Sequence, residues 1–195
     1  PKDHNTAWVS VFGGGIWKNR QAKAAVPGGL STGLMTEAEL DTPLDFAGPM
    51  KVDGDEGKHV YWHLASHVMA DVVTQLFPDA KPTIGPAIAD GFYYDFDVEE
   101  PFTEDDLRRI EETMQEIIEA DAPFQRHEVS KAEALERFEQ KQNRYKIALI
   151  DDIEDDIISL YEHNGFVDLC AGPHLPSTGR LKAFKLLSVA GAYWR

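Results

Sequence analysis

The chain has 195 residues, of which 43% are hydrophobic and 10% aromatic, so it can form an ordinary core and is not intrinsically disordered. Its net charge of −15 argues against a protein that wraps nucleic acid with clustered Lys and Arg. Its single cysteine cannot form an internal disulfide, and no apolar run approaches the roughly 20 residues of a membrane span. The first residues, PKDHNTAWVSVFGGG, lack a secretory signal pattern, so we expect a cytoplasmic protein without a membrane partner.

Residues 1–55 carry turn formers, including Gly13–Gly15 and a Pro-Gly-Gly at 27–29, with little clean periodicity. The triple glycine is not followed by the Gly-Lys-Ser/Thr of a phosphate loop, so we assign it no nucleotide role. We therefore predict an N-terminal segment at 1–55 and a main domain at 56–195.

The first clear element is a helix at 63–77, which Pro78 ends; its apolar residues recur every four positions, at Leu64, Val68, Val72 and Leu76. The segment 82–98 then alternates apolar and turn residues, and Asp90–Gly91 is a strong hairpin signal.

The clearest helix is predicted at 102–121, with Pro123 as its stop. Thr103 can cap it, with Asp106 three residues later as a carboxylate variant of the capping box. A helical stripe predicts its buried side: Leu107, Ile110, Met114, Ile117 and Ile118.

The remaining elements are shorter. We predict a strand at 124–129, a helix at 130–140 capped by Ser130, and a strand at 144–151. An acidic helix or turn follows around 151–161, and strands are predicted within 165–170 and 183–193. Strands mixed with segregated helices predict an α+β fold with a mainly antiparallel sheet packed with helices.

Two residue pairs carry candidate chemistry. His63 and His67 lie four residues apart on the first helix, which stacks both imidazoles on one face. Cys170 and His174 have the same spacing on a Gly-Pro turn, where Gly172 can adopt a conformation that other residues avoid. Together the pairs supply the inventory of a tetrahedral zinc site, or equally acids, bases and a thiol that handle a proton and a water. The sequence does not choose between these uses, and surface histidines with an unreactive buried thiol are the ordinary alternative.

Five motifs occur in order: EGKHVYWHLASH, IGPAIADGFYYDFD, RYKIALI, FVDLCAGPH and LLSVAGAYWR. This set resembles the editing region of bacterial-type threonyl-tRNA synthetase over roughly residues 56 to 195. The resemblance implies the α+β fold of the threonyl/alanyl-tRNA synthetase editing domain, with 1–55 as a divergent β-grasp remnant. Because SVAGAYWR resembles the stretch that leads into the aminoacylation domain, we expect the ligase active site to be absent from this chain.

The resemblance also implies a function, the hydrolysis of the seryl ester of mischarged Ser-tRNA(Thr). The implied partners are the seryl-bearing acceptor end of tRNA(Thr) and the catalytic domain of threonyl-tRNA synthetase. Matched motif by motif, the implied site consists of His63, His67, Lys146, Asp168, Cys170 and His174. We expect a histidine near Lys146 to activate a water, and Asp168 to orient a base or bind the seryl amino group.

Some points remain open. Alanyl-type editing domains bind zinc at the positions of His63, His67, Cys170 and His174, whereas here we expect no required cofactor and keep zinc as the alternative. Ala171 stands where the family usually has Arg, which removes a cation for tRNA phosphate. Two other functions are therefore kept: a free-standing zinc-dependent trans-editing hydrolase of Ala-tRNA or Ser-tRNA, and a non-catalytic tRNA-binding module.

Without the resemblance, several of these residues have ordinary interpretations. Lys146 and Asp168 would be surface charges, and Tyr94 would be a packing residue of a strand. Trp62 would pack in the core, with stacking on the terminal adenine as the alternative.

Overall fold

The computed structural model describes residues 7–14, 55–89 and 91–192. Its elements in chain order are β1 (Ala7–Gly14), α1 (Asp55–Leu76), β2 (Lys81–Pro82), β3 (Ala87–Ile88), β4 (Gly91–Val98), α2 (Glu104–Ala120), β5 (Gln125–Ser130), α3 (Lys131–Gln140), α4 (Arg144–Asp151), β6 (Ile157–His163), β7 (Phe166–Leu169), a 3₁₀ helix (Thr178–Arg180) and β8 (Lys185–Gly191). Among the helices in this part of the chain, none is long and apolar enough to cross a membrane.

Two antiparallel sheets organise the described residues, which confirms the predicted α+β fold. The larger sheet has the order β2-β4-β1-β8 with β3 also paired to β4, and the smaller has the order β5-β6-β7. β1 lies inside the larger sheet, where Val11 aligns with Tyr94 on one side and Val189 on the other. A strand from the segment 1–55 is thus hydrogen-bonded to strands from 56–195, and the boundary near residue 55 stays a prediction.

α1 is the central helix. It begins eight residues before the predicted helix 63–77 and ends at Leu76, one residue before the predicted end and ahead of Pro78. The predicted apolar positions Leu64, Val68 and Val72 are fully buried. α1 packs against α2 and the larger sheet, and its polar side chains meet the smaller sheet. The helix therefore has little solvent-facing surface, and its histidines are carried into the interior.

α2 confirms the predicted capping. Thr103 accepts a hydrogen bond from the Asp106 N–H, and Asp106 in turn accepts from the Thr103 N–H. Leu107 of the predicted stripe is partly buried. The other four residues of the stripe are buried: Ile110, Met114, Ile117 and Ile118. The helix ends at Ala120, ahead of Pro123, because Asp121 turns into the left-handed region with φ 48°.

The predicted strand at 144–151 is wrong, because these residues form helix α4. The Asn143 side chain caps it by accepting hydrogen bonds from the N–H groups of Tyr145 and Lys146. Lys146 and Ile150, four residues apart, are buried on one side of the helix, and Tyr145 is buried as well. A short apolar run does not distinguish a strand from a helix by periodicity, and the cap decides the outcome here.

Most of the other short elements follow the predictions. β5 and Ser130-capped α3 lie at 124–140 as expected, and β7 and β8 fall within the two predicted strand segments. The prediction of an acidic helix or turn at 151–161 is correct for the end of α4 and the turn after it, but wrong for residues 157–161, which belong to strand β6. β3 and β4 form the predicted hairpin with Ile88 opposite Gly91, while Asp90 itself lies outside the described residues.

Candidate functional site

Six predicted residues come together between α1, α4 and the end of β7. α1 provides His63 and His67, and α4 provides Lys146. β7 and the loop after it provide Asp168, Cys170 and His174. Five of the six are buried and His63 is half-buried, so Lys146 and Asp168 are not the surface charges of their ordinary interpretation.

The Cys170 thiol is the meeting point of the two pairs. Its Sγ lies 3.4 Å from His63 Nε2 and 3.2 Å from His174 Nε2, and the Gly172 N–H donates to it at 3.1 Å. The His174 ring lies 4.3 Å from that of His63 and 4.6 Å from that of His67, centroid to centroid. Two pairs about a hundred residues apart in sequence therefore form one cluster.

The loop after Cys170 is shaped by Gly172. This residue has φ +78°, in the left-handed region, and a cis peptide bond joins it to Pro173. A Cβ added to Gly172 would lie 2.3 Å from the hydroxyl of Tyr161. Close packing on Tyr161 and the positive φ both require glycine, as the turn prediction implied.

Asp168 is the centre of a second network. Its Oδ1 lies 2.6 Å from Lys146 Nζ and accepts the Leu169 N–H at 2.8 Å. Its Oδ2 accepts the Tyr94 hydroxyl at 2.5 Å and lies 3.3 Å from His67 Nδ1. Lys146 Nζ also donates to the Tyr94 hydroxyl at 2.9 Å. The buried carboxylate is thus paired and hydrogen-bonded on both oxygens, as a buried charge requires.

Burial controls the protonation of the cluster. It lowers the pKa of His63 to about 4, with a smaller contribution from His59, and raises the pKa of Cys170 to about 12. Burial, followed by neighbouring imidazoles, also lowers the pKa of His67 and His174 well below the ordinary value. The cluster accordingly presents neutral imidazoles and a protonated thiol near neutral pH.

The cluster can hold a metal ion. One ligand atom from each of His63, His67, Cys170 and His174 lies within 4.8 Å of the others. Ligands about 2.0–2.3 Å from a tetrahedral zinc are separated by about 3.5 Å, and the two S–N distances given above are close to that value. His67 also has its Nδ1 against a carboxylate, the arrangement that orients metal-binding histidines.

Sequence reasoning missed the polar role of Tyr94. It is buried as expected of a packing residue, but its hydroxyl joins Asp168 and Lys146, and burial together with Asp168 raises its pKa well above the usual value. The available signal was its position in a buried strand, since a buried tyrosine hydroxyl generally needs a partner. Trp62, in contrast, packs in the core against Phe92 with ring centroids 5.8 Å apart.

A cavity of about 560 Å³ adjoins the site at Asp168, and none of the other five predicted residues lines it. Its walls are the C-terminal half of α1, the segment 78–82 with β2, the end of α3 with the α3–α4 connection, and the β6–β7 hairpin. The six-residue candidate site and this cavity are therefore separate features that share one carboxylate.

Comparison with known sequences points to one group of enzymes. Residues 158–192 match the family described as the threonyl and alanyl tRNA synthetase second additional domain. The threonine--tRNA ligase of Desulforamulus reducens is 53% identical over 180 residues, covering 85% of this chain and 28% of that protein. That of Oleidesulfovibrio alaskensis is 52% identical over 178 residues, covering 91% of this chain and 27% of that protein. The chain is a relative of the threonyl-tRNA synthetases. It corresponds to their editing-domain region.

The chain spans about a quarter of the length of the threonyl-tRNA synthetases it matches. The family match at 158–192 contains Asp168, Cys170 and His174, whereas the two α1 histidines and Lys146 precede it. The two halves of the candidate site are joined by the fold, since His63 and Lys146 contact residues inside the matched segment.

Proposed function

We propose that this chain is an aminoacyl-tRNA ester hydrolase that removes serine from mischarged Ser-tRNA(Thr). The observation that carries the proposal is the buried Lys146–Asp168–His67 network beside a cluster of neutral imidazoles. Its substrate is the seryl-bearing acceptor end of tRNA(Thr), and its protein partner is the catalytic domain of a threonyl-tRNA synthetase. Such a protein works in the cytoplasm.

The chemistry of threonine explains the need for a second site. Serine lacks one methyl group of threonine, and such a difference gives only about 1–3 kcal/mol of discrimination in a binding pocket. A synthetic site shaped for threonine therefore admits serine. A hydrolytic site that accepts serine and is too tight for the threonine methyl removes the error after transfer.

His63 is the candidate general base. It is the least buried of the six residues and its imidazole is neutral, so it can accept a proton from a water. The water oxygen attacks the ester carbonyl carbon, the bond from that carbon to the ribose oxygen breaks, and the proton passes to the ribose oxygen. The products are serine and tRNA with a free terminal hydroxyl.

The remaining residues order the imidazole next to the base and balance charge. Asp168 holds His67 at Nδ1 and is itself held by Lys146 and Tyr94. The His67 ring lies 5.0 Å from that of His63, centroid to centroid. Because both oxygens of Asp168 are engaged, orienting His67 beside the base is favoured over binding the seryl amino group. Cys170 keeps its proton and acts as a hydrogen-bonding group between two imidazoles rather than as a nucleophile.

Deacylation of three substrates tests the proposal: Ser-tRNA(Thr), Thr-tRNA(Thr) and Ala-tRNA(Ala). We expect rapid release of serine alone, and a His63→Ala variant should lose it. His127→Ala is the control, because His127 is a partly exposed histidine of β5 whose ion-pair partner, Glu162, is not one of the six site residues. Hydrolysis of no substrate would favour the non-catalytic tRNA-binding module instead.

The four-ligand cluster supports a second candidate function, a metal-dependent trans-editing hydrolase of Ala-tRNA or Ser-tRNA. Bound zinc would supply a Lewis acid and lower the pKa of a water. His63, His67, Cys170 and His174 would hold it, with Asp168 orienting His67.

Metal analysis of protein purified without a His tag separates the two candidates. The proposed metal-independent hydrolase predicts far less than one zinc per chain and deacylation that survives a chelator. Stoichiometric zinc, with deacylation lost on chelation and restored by zinc, would favour the second candidate.

A further inference from the structure

We propose that Asp71 and His163 form a second buried pair, outside the six site residues, that positions the His174 ring through Phe124. A role of this pair in hydrolysis depends on the function proposed above. Asp71 and His163 are positioning residues, since among the described residues neither side chain forms a hydrogen bond or ion pair with the six site residues.

Asp71 continues the line of functional residues along α1. It follows His63 and His67 at the same four-residue interval, so these three side chains share one helical face. His67 reaches Asp168 on β7, and Asp71, one turn later, reaches His163 at the end of β6. The helix therefore makes two parallel carboxylate–imidazole contacts with the smaller sheet.

The pair is buried and anchored. His163 Nε2 lies 3.2 Å from Asp71 Oδ2, with side-chain exposures of 1% and 4%. Asp71 Oδ1 accepts a hydrogen bond from Gln75 Nε2 at 2.7 Å, which fixes the carboxylate on the helix. At 3.2 Å the two atoms are close, but neither of them forms a hydrogen bond within the described part of the chain. The His163 ring is therefore held by packing against a buried carboxylate that Gln75 fixes on the helix.

Phe124 connects this pair to the hydrolytic cluster. Its ring stacks on His163 at 4.3 Å and 14°, and its other ring neighbour is His174 at 4.9 Å. The Phe124 N–H donates to the Pro176 carbonyl, which ties the segment to the loop that carries His174. The order Asp71, His163, Phe124, His174 is thus a continuous line of contacts.

His174 depends on such packing for its orientation. Its Nδ1 is buried, and no hydrogen-bond partner is found for it among the described residues. A histidine ring is usually oriented by a hydrogen bond at the nitrogen that does not take part in the site. Here rings surround it instead, and Phe124 among them is stacked on His163, which lies against the buried Asp71.

The test combines ring-nitrogen NMR of His174, assigned with a His174→Gln variant, with single-turnover deacylation of Ser-tRNA(Thr). We expect Asp71→Ala to shift the His174 ring resonances and to lower kcat about tenfold with KM changed less than about twofold. Asp71→Asn should restore both, because the amide has nearly the same shape as the carboxylate and keeps a polar atom beside the His163 ring. The matched control is the partly exposed His127–Glu162 pair, 3.2 Å apart on the same sheet, where Glu162→Gln should change neither.

A folded Asp71→Ala variant with unchanged His174 resonances and kcat would overturn the proposal. If Asp71→Ala does not fold, the Phe124→Leu variant decides. The proposal requires the His174 ring resonances to shift in this variant too, because it lacks the ring that connects His163 to His174. If the unmodified protein deacylates no aminoacyl-tRNA, the proposed function fails, and the His174 resonances alone still decide whether the pair positions this ring.

Discussion

Asp168 shows how strongly a single buried carboxylate constrains its surroundings. It is held by the Lys146 ammonium, the Tyr94 hydroxyl and a backbone N–H, and it contacts His67. Removing one partner of a buried ion pair leaves an uncompensated charge, which costs about 3–5 kcal/mol. Lys146 is therefore expected to matter for both stability and reaction.

We predict that Lys146→Ala lowers the rate of Ser-tRNA(Thr) deacylation about a hundredfold, because His67 loses the ordered carboxylate that orients it. Single-turnover assays at equal folded concentration, set by circular dichroism, measure the effect. Lys185→Ala is the control, because Lys185 pairs with Glu111 at an exposed position. A Lys146→Ala protein with the unmodified rate would remove Lys146 from the mechanism.

Gly172 and Gly165 form a natural comparison, since both have positive φ, +78° and +81°. Gly165→Ala adds a methyl with nothing within 4 Å, so it should cost only the backbone strain of about 1–2 kcal/mol. Gly172→Ala adds a clash with the Tyr161 hydroxyl and displaces the N–H that binds Cys170.

Denaturant unfolding and deacylation together check this second residue-scale prediction. Gly172→Ala should be the less stable variant and should lose deacylation, while Gly165→Ala keeps it. Equal stability of the two variants would contradict the close approach of Tyr161 to Gly172.

At the scale of elements, local chemistry decides where helices begin. Thr103 and Asp106 start α2, Ser130 starts α3, and Asn143 starts α4. Because side-chain oxygens satisfy the free N–H groups of the first turn, these positions can be recognised from sequence. The cap at Asn143 was not predicted from the sequence, and α4 was consequently predicted as a strand.

We predict that Asp106→Ala destabilises the protein by about 1 kcal/mol at neutral pH, through loss of the capping box. Hydrogen bonds from Thr103 lower the pKa of Asp106 below 3.8, so its stabilisation is full above that pH and is lost as pH falls through the lower folded-state pKa. The difference in free energy of unfolding between Asp106→Ala and the unmodified protein, measured by urea unfolding, should therefore become smaller below about pH 4.

Glu116→Ala is the control for this prediction, since Glu116 is an exposed acid of the same helix beyond its first turn. Its free energy of unfolding should stay within about 0.5 kcal/mol of the unmodified value. A difference for Asp106→Ala that did not change with pH would contradict the role of the carboxylate.

For the whole molecule, β1 is the decisive strand because it separates β4 from β8 and is hydrogen-bonded to both. Val11 on this strand is fully buried. Tyr94 of the candidate site lies on β4, directly opposite Val11. Part of the segment predicted as separate from the main domain thus supports a strand that carries a site residue.

We predict that deleting residues 1–14 lowers the free energy of unfolding by at least about 3 kcal/mol, since a central strand and its buried side chains are lost. Deleting residues 1–6 leaves β1 intact and should have little effect. Denaturant titration followed by circular dichroism measures both. If the two deletion variants had equal midpoints of denaturant unfolding, this would contradict the structural role of β1 and favour a domain boundary near residue 55.

The sequence by itself determined the elements that depend on local chemistry and the motifs that carry the family resemblance. The four-residue spacing of His63 and His67, the capping of α2 and the glycine turn after Cys170 all depend on neighbours along the chain. The α+β class followed from the order of such elements.

Only the tertiary structure decided which side chains are taken out of water and what they meet there. In the sequence, Tyr94 looks like an ordinary strand residue and Asp71 like an ordinary helix residue. The partner of Tyr94 is Asp168, 74 residues away, and the partner of Asp71 is His163 on β6. The pKa of His63 and of Cys170 is likewise set by burial, which depends on packing between distant segments. Contacts of this kind have no local periodicity in sequence, so they are specified only when α1 and the two sheets pack together.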